Sequence, residues 1–119
     1  MKKVIRSFGY AFKGLGYAFK TQLNFRIHIA ATILAIVLGF VLHITISEWL
    51  WILLSITVVL LVELLNTAIE ALTDLVSPGH NEKAGHVKDI SAGAVVIAAL
   101  FAFITGLVIF LPRICTYLP

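Results

Sequence analysis

The 119-residue chain is 61% hydrophobic and only 13% charged, whereas soluble domains average about 45–50% apolar and 25% charged residues. A water-soluble globular fold is thereby excluded in favour of a single-domain integral membrane protein. The net charge of +3 invites a nucleic-acid reading, but the bases gather at one end among aromatic residues, the pattern of a membrane surface.

Residues 1–20 are predicted to form a basic amphipathic helix. Ile5, Phe8, Phe12, Leu15 and Phe19 recur at helical spacing, with Lys2, Lys3, Arg6, Lys13 and Lys20 to one side. The pentapeptide Gly-Tyr-Ala-Phe-Lys occurs twice, at Gly9–Lys13 and Gly16–Lys20. No continuous apolar run precedes a small-residue cleavage site, so a secretory signal is not the reading. The helix is expected to lie in the interface, phenylalanines down and lysines toward lipid phosphates. It serves either as an anchor alone or as a contact for a phosphate-bearing substrate as well.

Thr21 to His28 is a polar lead-in, and a first span follows at about 27–46, with His43 near its far end. Ser47 is read as an N-cap, with Trp49 and Trp51 in an aromatic belt. The second helix is placed at 48–76. It would be on the order of 43 Å long against a ~30 Å hydrocarbon core, so its last turns should protrude. Ser77-Pro78-Gly79 ends it, His80 to Asp89 reads as a polar loop, and an uncharged third span covers 90–111. Small residues in that span, among them Ala92, Gly93, Ala94 and Gly106, suit close helix packing in lipid, and Pro112-Arg113 closes it. The expected fold is an all-α integral membrane protein: a surface helix plus three transmembrane helices. With three spans, Lys2, Lys3, Arg6, Lys13, Lys20, Arg26, Lys83 and Lys88 share one side and only Arg113 lies opposite. The N-terminus and the 77–89 loop are therefore expected on the cytoplasmic side.

The chemistry centres on Glu63 to Asp74. At about 100° per residue, Glu63, Asn66, Glu70 and Asp74 fall within an arc of roughly 80°, opposite Leu64, Leu65, Leu72 and Leu75. Each ionisable residue at membrane depth costs roughly 2.5–3.5 kcal/mol on insertion scales and marks a functional site by default. Glu63, inside the membrane, can take a proton from a lipid alcohol. Glu70 and Asp74, at the cytosolic end, can hold Mg²⁺ on ATP, while Lys88 neutralises phosphate. The bland alternatives are a structural acid at Glu63 and a solvated helix end at Asp74. His28, His43 and His86 have no pair at metal-ligand spacing and read as interfacial or hydrogen-bonding residues, and Cys115 as inert. No P-loop or Gly-x-Gly-x-x-Gly loop is present, which excludes soluble kinase folds. Lipid phosphorylation competes with a small oligomeric proton-coupled transporter using Glu63, and with a non-enzymatic adaptor. The acidic patch beside Lys88-Asp89 favours phosphoryl transfer.

At these residues the chain resembles the prokaryotic diacylglycerol kinase / undecaprenol kinase family over nearly its whole length. The resemblance rests on Glu63-Leu-Leu-Asn66-Thr-Ala-Ile-Glu70 with Asp74, then Lys88-Asp89 and Ala92-Gly93-Ala94, with Gly9-Tyr10 and Asn24-Phe25-Arg26-Ile27-His28 in support. It implies a homotrimer in the bacterial cytoplasmic membrane, with active sites between subunits and transfer of the γ-phosphate of Mg-ATP to diacylglycerol or undecaprenol. By this resemblance Glu63 is the catalytic base, Asn66 a positioning residue of the same motif, and Glu70 a metal-binding carboxylate. Lys88, Asp89, Tyr10 and Lys3 are nucleotide contacts, and Arg26 and Ala92 border the lipid. Asp74 plays a supporting part. Gln22 stands where the family often has a second metal-binding Glu, and His80 or Asn81 stands in for a loop residue that helps hold ATP. Lys3 occupies a position where some members have Arg.

Overall fold

A computed structural model describes residues 1–119 as four helices and no strands: α1 (Lys2–Thr21), α2 (Leu23–Val41), α3 (Ile46–Val76) and α4 (Glu82–Thr116). The last three are long and apolar enough to cross a membrane. The spans read from the sequence are present, with shifted ends.

The α1–α2 elbow is one residue wide. Gln22 is extended (φ −116°, ψ 108°) and its N–H donates to the Ala18 carbonyl. The Arg26 guanidinium reaches back and donates to the carbonyls of Phe19 (2.7 Å) and Lys20 (3.1 Å). These belong to the last turn of α1, whose carbonyls lack intrahelical partners. Arg26 thereby caps one helix from the next. Along α1 only Ala18 is buried. The stripe of Ile5, Phe8, Phe12, Leu15 and Phe19 is exposed, as an interfacial helix requires.

The first span ends at Val41, not at residue 46. His43 takes φ +53°, a conformation that costs a non-glycine residue about 1–2 kcal/mol. The turn repays it: the Ile44 N–H donates to Gly39 O (3.2 Å) and the His43 N–H to Phe40 O (3.4 Å), the paired closure of a Schellman motif. The cap of α3 is Thr45 and not Ser47. The Thr45 hydroxyl accepts from the Glu48 N–H (3.2 Å) and the Glu48 carboxylate accepts from the Thr45 N–H (2.9 Å). Thr-x-x-Glu satisfies two orphan N–H groups reciprocally, which a lone Ser at 47 cannot. Glu48 also accepts from Arg113 Nη2, and Arg113 Nη1 donates to the Leu42 carbonyl. The end of α4 is thus tied to the α2–α3 turn.

Gly39 lets this turn close. A Cβ there would collide with the six-membered ring of Trp49, which also packs against Phe40 in a tilted arrangement with ring centroids 4.9 Å apart. Gly39→Ala is expected to cost about 1–3 kcal/mol through overpacking, read as a lowered thermal midpoint in detergent or lipid.

Two further boundaries differ from expectation. The loop expected at 77–89 is confined to Ser77–Asn81, and Lys88-Asp89 are helical. The Asn81 side chain caps α4 by accepting from the Ala84 N–H (3.1 Å), and Glu82 faces His86 one turn on. Polarity here marks a helix outside the hydrocarbon core, not a loop. At the other end Pro112 lies inside α4, which continues to Thr116. Proline removes one backbone bond, but the turn beyond it is held by Arg113 on Glu48 and by the Thr116 hydroxyl on the Arg113 carbonyl.

α3 packs chiefly on α4 and then on α2, while α1 touches α2 and α3 and does not approach α4. The core lies at the turn end, around Leu42, Ile44, Ile52, Ile109 and Phe110. The chain measures 57 × 43 × 22 Å with a radius of gyration of 17.6 Å. A compact domain of this length would have about 13–14 Å, so the helices form a flat layer and not a closed bundle.

Candidate active site

The buried face of α3 runs Ile52, Ser55, Val59, Glu63, Asn66, Thr67, so it changes from apolar to polar along one helix. Glu63 is the most completely enclosed large side chain, with 0% exposure. Neither of its carboxylate oxygens has a hydrogen-bond partner. An unsatisfied buried polar group costs about 1–3 kcal/mol, more if charged, and a native protein keeps one only for a reason. One ionisable side chain reaches it: His28 Nε2 on α2 lies 3.8 Å from Glu63 Oε2.

One turn above, Asn66 joins α3 to α4. The Ser91 hydroxyl donates to Asn66 Oδ1 (2.7 Å) and Asn66 Nδ2 donates to Glu70 Oε1 (3.3 Å). The amide is thus engaged at both ends, by Ser91 and by the Glu70 carboxylate. Glu70 is half-buried. A further turn on, Lys88 Nζ pairs with Asp74 Oδ1 at 2.5 Å. Asp74, His80, Asn81 and Lys88 line one cavity of about 300 Å³ at the α3–α4 loop. The Asn81 side-chain oxygen is already engaged as a helix cap.

The remaining site residues stay apart from this column within one chain. Lys3 and Tyr10 are exposed on α1, with Lys13 Nζ 5.8 Å over the Tyr10 ring. Since α1 does not approach α4, neither meets Lys88 or the exposed Asp89. Gln22 sits in the elbow, half-buried. Arg26 spends Nη1 on the α1 carbonyls, and Ala92 is exposed beside the buried Ser91.

Sequence reading missed two residues. Ser91 was detectable in principle, because a buried Asn needs a donor for its oxygen, but nothing local says which serine supplies it. His28 reads from sequence as an interfacial or hydrogen-bonding residue, and only the packing of α2 on α3 brings it to Glu63. Below Glu63 an apolar cavity of about 270 Å³ opens between α2, α3 and α4, bounded by His28, Ala35, Ser55, Val59, Phe103 and Phe110.

No cluster of three or more His, Cys, Asp or Glu residues that could hold a metal occurs in the chain.

Residues 9–110 match the family model described as prokaryotic diacylglycerol kinase. Among similar proteins, the undecaprenol kinase of Bacillus subtilis is 39% identical over 114 residues, spanning 96% of this chain and 93% of its own. The diacylglycerol kinase of Escherichia coli K12 is 35% identical over 103 residues, spanning 87% and 84%. A diacylglycerol kinase of Synechocystis is 42% identical over 107 residues, spanning 89% of this chain and 61% of its own.

Proposed function

The chain belongs to the prokaryotic diacylglycerol kinase family and is a lipid kinase, and on that premise we propose that Glu63 is the base that deprotonates the lipid alcohol while Glu70 and Lys88 serve the nucleotide. The sealed, unpartnered Glu63 carboxylate carries this reading. Glu63 and Glu70 are seven residues apart on one helix, roughly 10 Å, so an alcohol can enter from the bilayer and ATP from the interface. The step is transfer of the terminal phosphoryl group of ATP to the lipid hydroxyl, and positioning and charge neutralisation dominate such transfers. The proton-coupled transporter finds no support among the relatives.

In this reading Asn66 aligns Glu70 and Asp74 steadies Lys88. Glu70, with the neutral oxygen of Gln22, would hold Mg²⁺ brought by ATP, and the metal supplies charge neutralisation at the phosphates. Lys3, Tyr10, His80, Asn81 and Asp89 complete the nucleotide side, and Arg26 and Ala92 border the lipid. We place the site at the cytoplasmic face of the bacterial membrane, because eight of the nine basic residues lie on that side of the three spans. We propose a homotrimer with shared sites. The flat single-chain layer and the separation of α1 from α4 support it, since another subunit can bring Tyr10 and Lys88 to one nucleotide.

Purified protein in vesicles, given radiolabelled ATP with undecaprenol or diacylglycerol in turn, tests the reading. Label is expected on at least one alcohol. Label on neither, in protein that still binds ATP, would sink it.

A further inference from the structure

Glu63 must lose its proton after each turnover, yet it is all but sealed from solvent. The groups around it narrow the exit. On α2, Arg26 is turned away onto the α1 carbonyls. On α3, Glu70 lies two turns off and is held by Asn66. On α4, Ser91 is committed to Asn66 and Lys88 to Asp74. No ion pair reaches Glu63 from α1 or α4. That leaves His28, whose Nε2 lies 3.8 Å from Glu63 Oε2 and whose side chain is 20% exposed against 1% for Glu63. The His28 backbone is steadied by the Thr32 hydroxyl, which donates to its carbonyl (2.8 Å), and His28 and Thr32 both line the cavity below.

We propose that His28 is the positioning residue of Glu63 and the route by which its proton leaves. The inference rests on Glu63 being the base. In the transfer step the acceptor O–H bond breaks. Its proton goes to a Glu63 oxygen and its electron pair forms the new bond to the γ-phosphorus. The bond from that phosphorus to the bridging oxygen breaks, and its pair leaves on ADP. Glu63 then passes the proton to neutral His28 Nε2, which restores the carboxylate, and His28 releases it to water. His28 is six residues below Gln22, roughly 9 Å down the helix from the elbow. The 3.8 Å separation must close to hydrogen-bond length in the working complex, as catalytic contacts commonly do.

The test compares His28→Gln, His28→Ala and Glu63→Gln in vesicles containing the lipid alcohol. Gln at 28 keeps a neutral polar partner and cannot carry a proton. His28→Gln is expected to lower kcat about tenfold or more with KM for ATP unchanged. The dependence of kcat on pH that an imidazole proton carrier contributes should be absent from its pH profile. Added imidazole can enter the space freed beside the 270 Å³ cavity and should restore kcat in His28→Ala but not in Glu63→Gln. Wild-type kcat in His28→Gln, with Glu63→Gln inactive, would overturn the proton route alone. So would a loss of kcat with an unchanged pH profile and no imidazole rescue, the mark of a merely structural histidine. Full activity in Glu63→Gln would overturn the base assignment and the route with it.

Discussion

Glu63→Gln is expected to lower kcat for lipid phosphorylation by about 10²–10⁴-fold, the usual worth of a general base, while KM for ATP stays within a few-fold. Gln keeps the shape and depth of the side chain and removes only its capacity to take a proton. The expectation has a second, independent part. The native carboxylate has no hydrogen-bond partner on either oxygen and 0% exposure. A buried group of this kind burdens the fold, and replacing it with a neutral one is commonly neutral or stabilising. Glu63→Gln should therefore unfold at the wild-type temperature or above it. Inactivity combined with a lowered midpoint would instead mark Glu63 as a structural acid between helices. The two parts are read from one preparation, by initial rates and by thermal unfolding.

The second large effect is expected at Glu70. Glu70→Ala should lower kcat/KM for Mg-ATP by about 100-fold or more, since an ion on the phosphates contributes several kcal/mol to charge stabilisation and each ~1.4 kcal/mol is tenfold. The Mg²⁺ concentration giving half-maximal rate should rise, and the KM for lipid should not. The variant also frees Asn66 Nδ2 from its acceptor, so Glu70→Gln is the control: its amide oxygen can still accept from Asn66 but brings no charge. A Glu70→Gln rate near wild type would show that Glu70 only orients Asn66. An unchanged Mg²⁺ requirement in Glu70→Ala would remove it from the metal.

The column from Glu63 to Asp74 was legible because helix geometry is local. Four polar residues at spacings of three and four share a face wherever that helix sits, and two of them meet as the spacing implies, Asn66 on Glu70. Helix ends were less legible. Ser47 and Pro112 are honest local signals, and both lost to contacts from elsewhere. Thr45 won the cap through its exchange with Glu48, and Arg113 holds the turn beyond Pro112 by gripping the same Glu48. The polar stretch from His80 to Asp89 reads as a loop in the sequence, but from Glu82 on it is helical, and its polarity reports only depth in the bilayer.

Composition and periodicity alone determine that this chain is a membrane protein with one surface helix and three spans, and that one span carries a costly polar face. Those are properties of short windows, set by transfer free energy and by 3.6 residues per turn. Tertiary structure alone decides what that face meets. The turn of α2 against α3 brings His28 to Glu63, and the pairing of α3 with α4 gives Asn66 its serine and Lys88 its aspartate. His28 and Glu63 are separated by 35 positions in the chain and by 3.8 Å in space. No local rule links residues so far apart, because their meeting depends on how whole helices pack.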